Sequence, residues 1–254
     1  MIPKIIHYCW LSNDTVPESL KACMDTWKEK LPEYQFILWN FDRFEKSSSK
    51  WVSEAFDNKK YAFAADYIRL YALYHFGGIY MDMDIQVIKS FNDLLEQNLM
   101  LAYEDEECFG IEAGCFGSEK GNPIIKEILD YYQDRSFIKE DGTFDMLPLP
   151  KIMAQTIIRY PNLMIYDRFQ FTCKSYTDGK ITTKDYTHAI HNFAGSWTNS
   201  ARKKFDSQRY WLYSHLPQKL AKLICKFPLA ICILKESGIK GLIIAINKIK
   251  DKNK

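Results

Sequence analysis

No two of the seven cysteines form a Cys-x-x-Cys pair, and none falls at zinc-ligand spacing. An odd, scattered set of thiols excludes a disulfide framework and reads as buried free cysteines in a reducing compartment. No apolar run approaches the ~20 residues that span a bilayer. The opening residues, Met1-Ile2-Pro3-Lys4-Ile5-Ile6-His7-Tyr8, lack the basic lead and long apolar stretch of a secretory signal. The expectation is a cytoplasmic protein. There is no internal repeat and no low-complexity linker, so 254 residues imply one sizeable domain with a small appendage. Net charge is only +2, which leaves no strong overall field to draw in nucleic acid.

Core-forming residues are plentiful. Hydrophobic residues make up 47% of the chain and aromatics 15%, enough to exclude general disorder. Charge is unevenly placed. From His215 onward nine lysines stand against Glu236 and Asp251, so this tail carries +7 and the preceding residues must carry −5. Nucleic acid is thereby excluded as the main partner of the body, and the tail is singled out.

Lys4 to Trp10 reads as a strand. Pro17-Glu18 opens a helix with Leu20, Cys23, Met24, Trp27 and Leu31 at helical spacing, stopped by Pro32. Tyr34 to Trp39 is a second strand, and this strand–helix–strand order predicts a βαβ unit in an α/β fold with a mostly parallel sheet. Lys46 to Lys50 reads as a loop. Tyr61 to Phe76 predicts a buried helix stopped by Gly77-Gly78. Short strands follow over Leu99 to Tyr103 and Ile111 to Phe116. Helices are predicted over Pro123 to Tyr132 and Lys151 to Tyr160, and a β-hairpin around Asp178-Gly179. Helical segments run from Asn199 to the end.

The chemistry is concentrated in four segments. In Gly77-Gly78-Ile79-Tyr80-Met81-Asp82-Met83-Asp84, strand alternation would put Asp82 and Asp84 on one face and Met81, Met83 and Ile85 in a core. Two carboxylates facing one way repel unless solvated or bridged by a cation, and hard oxygen ligands suit Mg²⁺ or Mn²⁺. In the preceding helix, Asp66 and Arg69 are three residues apart and share a face. They form either a structural ion pair or a hydrogen-bonding site for substrate hydroxyls. Trp10, at the end of the first strand, is either core or a platform for a nucleobase. His191, ahead of Gly195-Ser196-Trp197, is a candidate metal ligand beside a phosphate cradle.

In this order, Ile2-Pro3-Lys4-Ile5-Ile6-His7-x-x-Trp10, Ala65-Asp66-x-x-Arg69, Gly77-Gly78-Ile79-Tyr80-x-Asp82-x-Asp84 and His191-x-x-x-Gly195-Ser196-Trp197 resemble the pattern of glycosyltransferase family 32. That family, the DXD "sugar-binding region" group, includes bacterial capsular-polysaccharide transferases and yeast Golgi mannosyltransferases. The resemblance covers about residues 1–200. It implies a GT-A-like (Rossmann-like) mixed sheet flanked by helices over 1–200, with a helical C-terminal extension over 201–254. It also implies a nucleotide-sugar donor with a UDP-sugar favoured, Mn²⁺ or Mg²⁺, and retention of anomeric configuration. By position, Trp10 would stack on the base, Asp66 and Arg69 would contact the donor sugar, and Tyr80 and Asp82 would contact ribose, phosphate or sugar. Asp82, Asp84 and His191 would hold the metal, and Ser196 and Trp197 the leaving diphosphate. Two departures stand out. Ala65 replaces a common Ser, and Glu112 stands where some relatives carry Asn. Glu112 is a candidate acceptor-site base or nucleophile, or a surface residue.

The expected activity is transfer of a hexose or N-acetylhexosamine to a glycan, lipid-linked acceptor in capsule or surface polysaccharide synthesis. Without a second carboxylate clearly placed below the sugar, front-face attack by the acceptor is favoured over a covalent intermediate. Two rivals remain. A phosphatase-like hydrolase also begins with Asp-x-Asp, but its pattern wants Thr or Val where this chain has Gln86. A non-catalytic sugar-binding protein could share the fold. The tail adds an expectation of its own. Leu220, Leu223, Ile224 and Phe227 share one helical face, and Leu242, Ile243, Ile246 and Ile249 another, among lysines. Such a helix can lie on an anionic membrane surface, which would place the protein peripherally on the inner face of the plasma membrane.

Overall fold

The computed structural model describes residues 1–105, 110–195 and 200–235. They fall into two compact units. The first comprises Met1–Lys174 and Ile181–Phe193; the second comprises Ser175–Lys180 and the chain from Ala194.

The first unit is built on the predicted βαβ element. Strand β1 (Ile5–Cys9) is followed by α1 (Glu18–Lys30) and β2 (Gln35–Trp39), and β1 pairs in parallel with β2, Ile5 opposite Gln35. On the other side β1 pairs in parallel with β3 (Gly78–Met81). Beyond β3 the sheet turns antiparallel through β6 (Cys115–Ser118) to β5 (Leu99–Met100), so its order is β2-β1-β3-β6-β5. A separate antiparallel pair joins β4 (Ile85–Val87) to β7 (Ala189–His191). The expected class, a mixed α/β sheet flanked by helices, is the one observed.

Alternation in β3 divides the apolar interior in two. Ile79 and Met81 point into a core with Trp27, Leu20 and Ile85, whereas Tyr80 points into one with Phe116 and Ile68. Helix α1 covers the first face, and the Trp27 indole donates to the Ile85 carbonyl at 2.6 Å. The second face is covered by α2 (Lys50–Asp57), α3 (Tyr61–Phe76), α4 (Pro123–Asp130) and α5 (Leu149–Ile157). Helix α3 is apolar around most of its circumference, Asp66 and Arg69 apart, and is accordingly buried along most of its length. Helix α2, which no prediction anticipated, starts where Ser49 caps it by accepting from the Val52 N–H.

At the end of α3 the chain must turn sharply to enter β3. Gly78 has φ +112°, and a Cβ there would stand 2.6 Å from the Ile5 carbonyl oxygen. Glycine is what lets β3 lie beside β1. His7 seals the junction. Its Nε2 lies 2.8 Å from the Gly77 carbonyl, and its Nδ1 accepts from the Trp39 indole at 3.0 Å. Burial pushes the His7 imidazole down to about 4, so it is neutral at pH 7.

Other expectations are shortened. The Asp178-Gly179 segment turns with Gly179 at φ +71°, but the predicted hairpin reduces to an isolated bridge between Lys174 and Ile181. In the second unit, α6 (Ser200–His215) and α7 (Gln218–Ile224) flank Pro217. Leu212, Ala221 and Cys225 form a small core between them. Helical residues continue over 226–235. The predicted apolar face of Leu242, Ile243, Ile246 and Ile249 lies outside the described residues. Among the described residues, no helix is long and apolar enough to cross a membrane.

Candidate active site

The site lies where β3 ends. Strand pairing stops at Met81, and Asp82 to Asp84 form a turn closed by the Ile85 N–H donating to the Asp82 carbonyl at 3.0 Å. The two carboxylates are therefore brought together by a turn, not by strand alternation as expected. Met81, Met83 and Ile85 are buried in the core as predicted. The Asp82 N–H, beyond the strand, still donates to the Gly114 carbonyl at 2.7 Å.

From the neighbouring β7, His191 reaches the same turn. It stands opposite Ile85 in the pairing, and its Nε2 lies 3.4 Å from Asp84 Oδ1. Donor atoms of Asp82, Asp84 and His191 all lie within 4.8 Å of one another. Two carboxylate oxygens and an imidazole nitrogen form a donor set that a divalent cation such as Mn²⁺ fits. Burial works against the His191 charge, but Glu112 and Asp84 hold its imidazole well above the ordinary value, so a cation taken up at Nε2 would displace a proton. Burial raises the Asp82 carboxyl, Arg69 opposes this, and the Asp84 charge raises it further. A bound cation would relieve that repulsion.

Arg69 organises the other side of the turn. Its Nη1 donates to the Ala113 carbonyl at 2.6 Å, its Nη2 lies 3.3 Å from Asp66 Oδ1 and 3.5 Å from Asp82 Oδ1, and its guanidinium sits 4.5 Å from the Tyr80 ring centroid. The Tyr80 hydroxyl donates to Asp82 Oδ1 at 2.9 Å. Asp66, Arg69, Tyr80 and Asp82 are thus one network, with Arg69 buried at its centre. Burial pushes the Asp66 carboxyl up to about 6 against the pull of Arg69, so it is mostly ionised at pH 7 and held ready to accept hydrogen bonds.

Glu112 is only 1% exposed. Its carboxylate accepts from the Gly114 N–H and the Thr172 hydroxyl, and its two oxygens lie 3.1 Å from His191 Nδ1. Burial works against the Glu112 charge, but His191 and these hydrogen bonds more than offset it and hold the carboxyl below its ordinary value. The structure places Glu112 behind His191, not on the surface. Trp10 sits at the carboxyl end of β1 with its ring partly buried and its indole donating to the Asp14 carbonyl at 3.0 Å. Ser196 and Trp197 lie outside the described residues.

Four residues of the site were not anticipated. Gly114 leaves no room for a side chain: a Cβ there would lie 2.6 Å from His191 Cε1, 2.8 Å from Glu112 Oε1 and 2.9 Å from Asp82 Oδ2. Asn192 donates through Nδ2 to the Asp84 carbonyl at 3.0 Å and pins the turn. Thr172 supports Glu112. The half-buried Lys174 donates to the Asn192 carbonyl at 2.6 Å; burial lowers its ammonium while the Asp84 charge pulls it back up. No local pattern marks these positions, because each acts through a partner distant in sequence.

Residues 17–101 match the family described as "Glycosyltransferase sugar-binding region containing DXD motif". Mannosyl phosphorylinositol ceramide synthase SUR1 of Saccharomyces cerevisiae is 35% identical over 160 residues, covering 61% of this chain and 40% of that protein. Inositol phosphoceramide mannosyltransferase 3 of Schizosaccharomyces pombe is 29% identical over 136 residues, covering 50% of this chain and 36% of that protein. The chain therefore spans well under half the length of these yeast relatives. These two relatives are fungal and named for mannosyl transfer to an inositol phosphoceramide, not bacterial capsular-polysaccharide enzymes. An uncharacterized glycosyltransferase of Acanthamoeba polyphaga mimivirus is 24% identical over 233 residues, 84% of this chain and 91% of that protein. Among solved structures, PaToxG Glycosyltransferase has a TM-score of 0.48 at 20% identity, covering 63% of this chain and 70% of that one.

Proposed function

We propose that this chain is a metal-dependent retaining glycosyltransferase. It moves a hexose or N-acetylhexosamine from a nucleotide sugar, a UDP-sugar by first expectation, to a glycan acceptor. The observation that carries this reading is the convergence of Asp82, Asp84 and His191 within 4.8 Å, directly beside the buried Asp66–Arg69–Tyr80 network. Binding a nucleoside diphosphate requires neutralised phosphate charge, and a cation held by those three residues would stabilise the leaving group as a Lewis acid.

The chain's own side chains divide the remaining work. Asp66 accepts hydrogen bonds from donor-sugar hydroxyls, and Arg69 fixes it in place. Trp10 stacks on the base. By their place in the motif alone, Ser196 and Trp197 are the residues we assign to the leaving diphosphate. Glu112, with both oxygens engaged, offers no nucleophile, so the acceptor hydroxyl attacks from the face the diphosphate leaves.

The yeast relatives are named for mannose and for an inositol phosphoceramide. Mannose is therefore the first hexose to test, and a lipid-linked acceptor, as in capsule or other surface polysaccharide synthesis, is the setting we propose. The second unit supports a membrane-surface location. Leu220, Leu223, Phe227, Ile231 and Leu234 form one exposed stripe, with Phe227 at 75% exposure. At 100° per residue, Lys219, Lys222 and Lys226 border it on one side and Lys235 on the other. An apolar stripe bounded by lysines suits an anionic bilayer, such as the inner face of the plasma membrane.

The test is release of nucleoside diphosphate from a panel of UDP- and GDP-linked hexoses and N-acetylhexosamines, with Mn²⁺ and with a chelator. Metal-dependent release from at least one donor is expected. Release from none would sink the transferase reading and leave sugar binding alone, whereas release of inorganic phosphate from a simple phosphomonoester would favour the phosphatase rival.

A further inference from the structure

His191 has two ring nitrogens, and only Nε2 faces the carboxylates of the turn. Nδ1 faces Glu112, 3.1 Å from each of its oxygens. Three separate segments aim donors at this one buried carboxylate. The Gly114 N–H comes from the loop before β6. The Thr172 hydroxyl comes from a residue bridged to Ile190, the neighbour of His191. The third donor is the His191 ring itself, whose backbone N–H is tied to the Phe171 carbonyl at 3.1 Å. A carboxylate held by three donors and only 1% exposed is a fixed acceptor, turned towards His191 and away from any acceptor hydroxyl or anomeric carbon.

We propose that Glu112 is a positioning residue, which with Thr172 and Gly114 as its supports holds His191 as the Nδ1–H tautomer so that Nε2 is presented to a divalent cation between Asp82 and Asp84. This inference rests on reading the turn as a metal site. A ring nitrogen hydrogen-bonded to a carboxylate is how a metal-ligating imidazole is oriented and made more basic. The packing enforces the same geometry. Gly114 has no Cβ because His191, Glu112 and Asp82 all close on that position. The ring, the carboxylate behind it and the carboxylate in front are therefore set against one backbone atom.

The experiment compares full-length wild type, E112A, E112Q and T172V. Mn²⁺ affinity is measured by electron paramagnetic resonance without donor, and donor turnover is measured across a Mn²⁺ series. For E112A the expected loss of affinity is about 10–100-fold, with most of the turnover regained at excess Mn²⁺. E112Q, which keeps one acceptor for Nδ1–H, falls between E112A and wild type, and T172V shows a smaller loss. Unchanged Mn²⁺ affinity with turnover that excess metal does not restore would make Glu112 a base or nucleophile and overturn the inference. If E112A does not fold, the wild-type histidine spectrum decides. Long-range ¹H–¹⁵N correlations with Mg²⁺ bound should show the proton of His191 on Nδ1, and a proton on Nε2 overturns the proposal. Wild type that binds no Mn²⁺ would overturn the metal reading and this inference together, whereas unchanged affinity in folded E112A overturns this inference alone.

Discussion

Asp84 and His191 meet across the end of the β4–β7 pair, with carboxylate oxygen and imidazole nitrogen 3.4 Å apart and both side chains 12% exposed. Two of the three candidate ligands come from the turn after β3 and the third from near the end of the first unit. Replacing Asp84 by Asn should lower Mn²⁺ affinity and donor turnover by ~10²-fold or more, since losing even an outer partner of a metal ligand costs ~10–100-fold. In the metal-free protein the change cuts both ways, relieving the push on Asp82 but taking a charge partner from His191 and Lys174, so melting should shift little. Calorimetric Mn²⁺ titration and a thermal melt check both halves.

Gly114→Ala should separate folding from function. The added Cβ would meet three side chains of the site rather than backbone. Mn²⁺ binding should be lost while the circular dichroism spectrum persists. Gly78→Ala should do the reverse and destabilise the whole unit, because its φ is +112° and the obstruction is the Ile5 carbonyl. Normal Mn²⁺ binding by G114A would refute the tight packing.

Removing the Arg69 charge, as in Arg69→Met, should destabilise the protein by about 3–5 kcal/mol in urea unfolding, because Asp66 and Asp82 then lose a buried partner. Arg69→Lys should rescue little, as a compact ammonium lacks the planar fork that reaches the Ala113 carbonyl through Nη1 and the two carboxylates through Nη2.

Acid should reveal His7. Its folded value, about 4, is below the ordinary 6.5, so the unfolded chain takes up the proton first. Its contribution is fully present above pH 6.5 and is lost as pH falls towards 4, amounting to about 3 kcal/mol. His7→Phe should be less stable at pH 7, since the Trp39 indole and Gly77 carbonyl lose their partner. The difference from wild type should shrink as pH falls from 6.5 to 4, measured by chemical denaturation at each pH.

The lysine-bordered stripe should bind vesicles. Co-sedimentation with phosphatidylcholine vesicles containing anionic phosphatidylglycerol should exceed that with phosphatidylcholine alone and weaken in high salt. Phe227→Glu with Ile231→Glu should abolish it without affecting donor turnover. Equal recovery of wild type and the double variant would rule out this contact.

What the sequence determined by itself is local. The βαβ start, the apolar helix Tyr61–Phe76 and the stop at Gly77-Gly78 follow from periodicity and from residues whose backbone preferences are set by their own atoms. The Asp82, Asp84 and Asp66, Arg69 pairs were also visible, because their partners lie within a few residues. Tertiary structure decided the rest. Strand alternation was the wrong reason for Asp82 and Asp84 to converge; the turn that joins them is held by Gly114 and Asn192, which come from elsewhere in the chain. Whether Glu112 faces a substrate or the back of His191 depended on where Thr172 and Gly114 fell around it. A carboxylate's role is set by which donors saturate it, and those donors are brought together only by the closing of β6 and β7 around the end of β3.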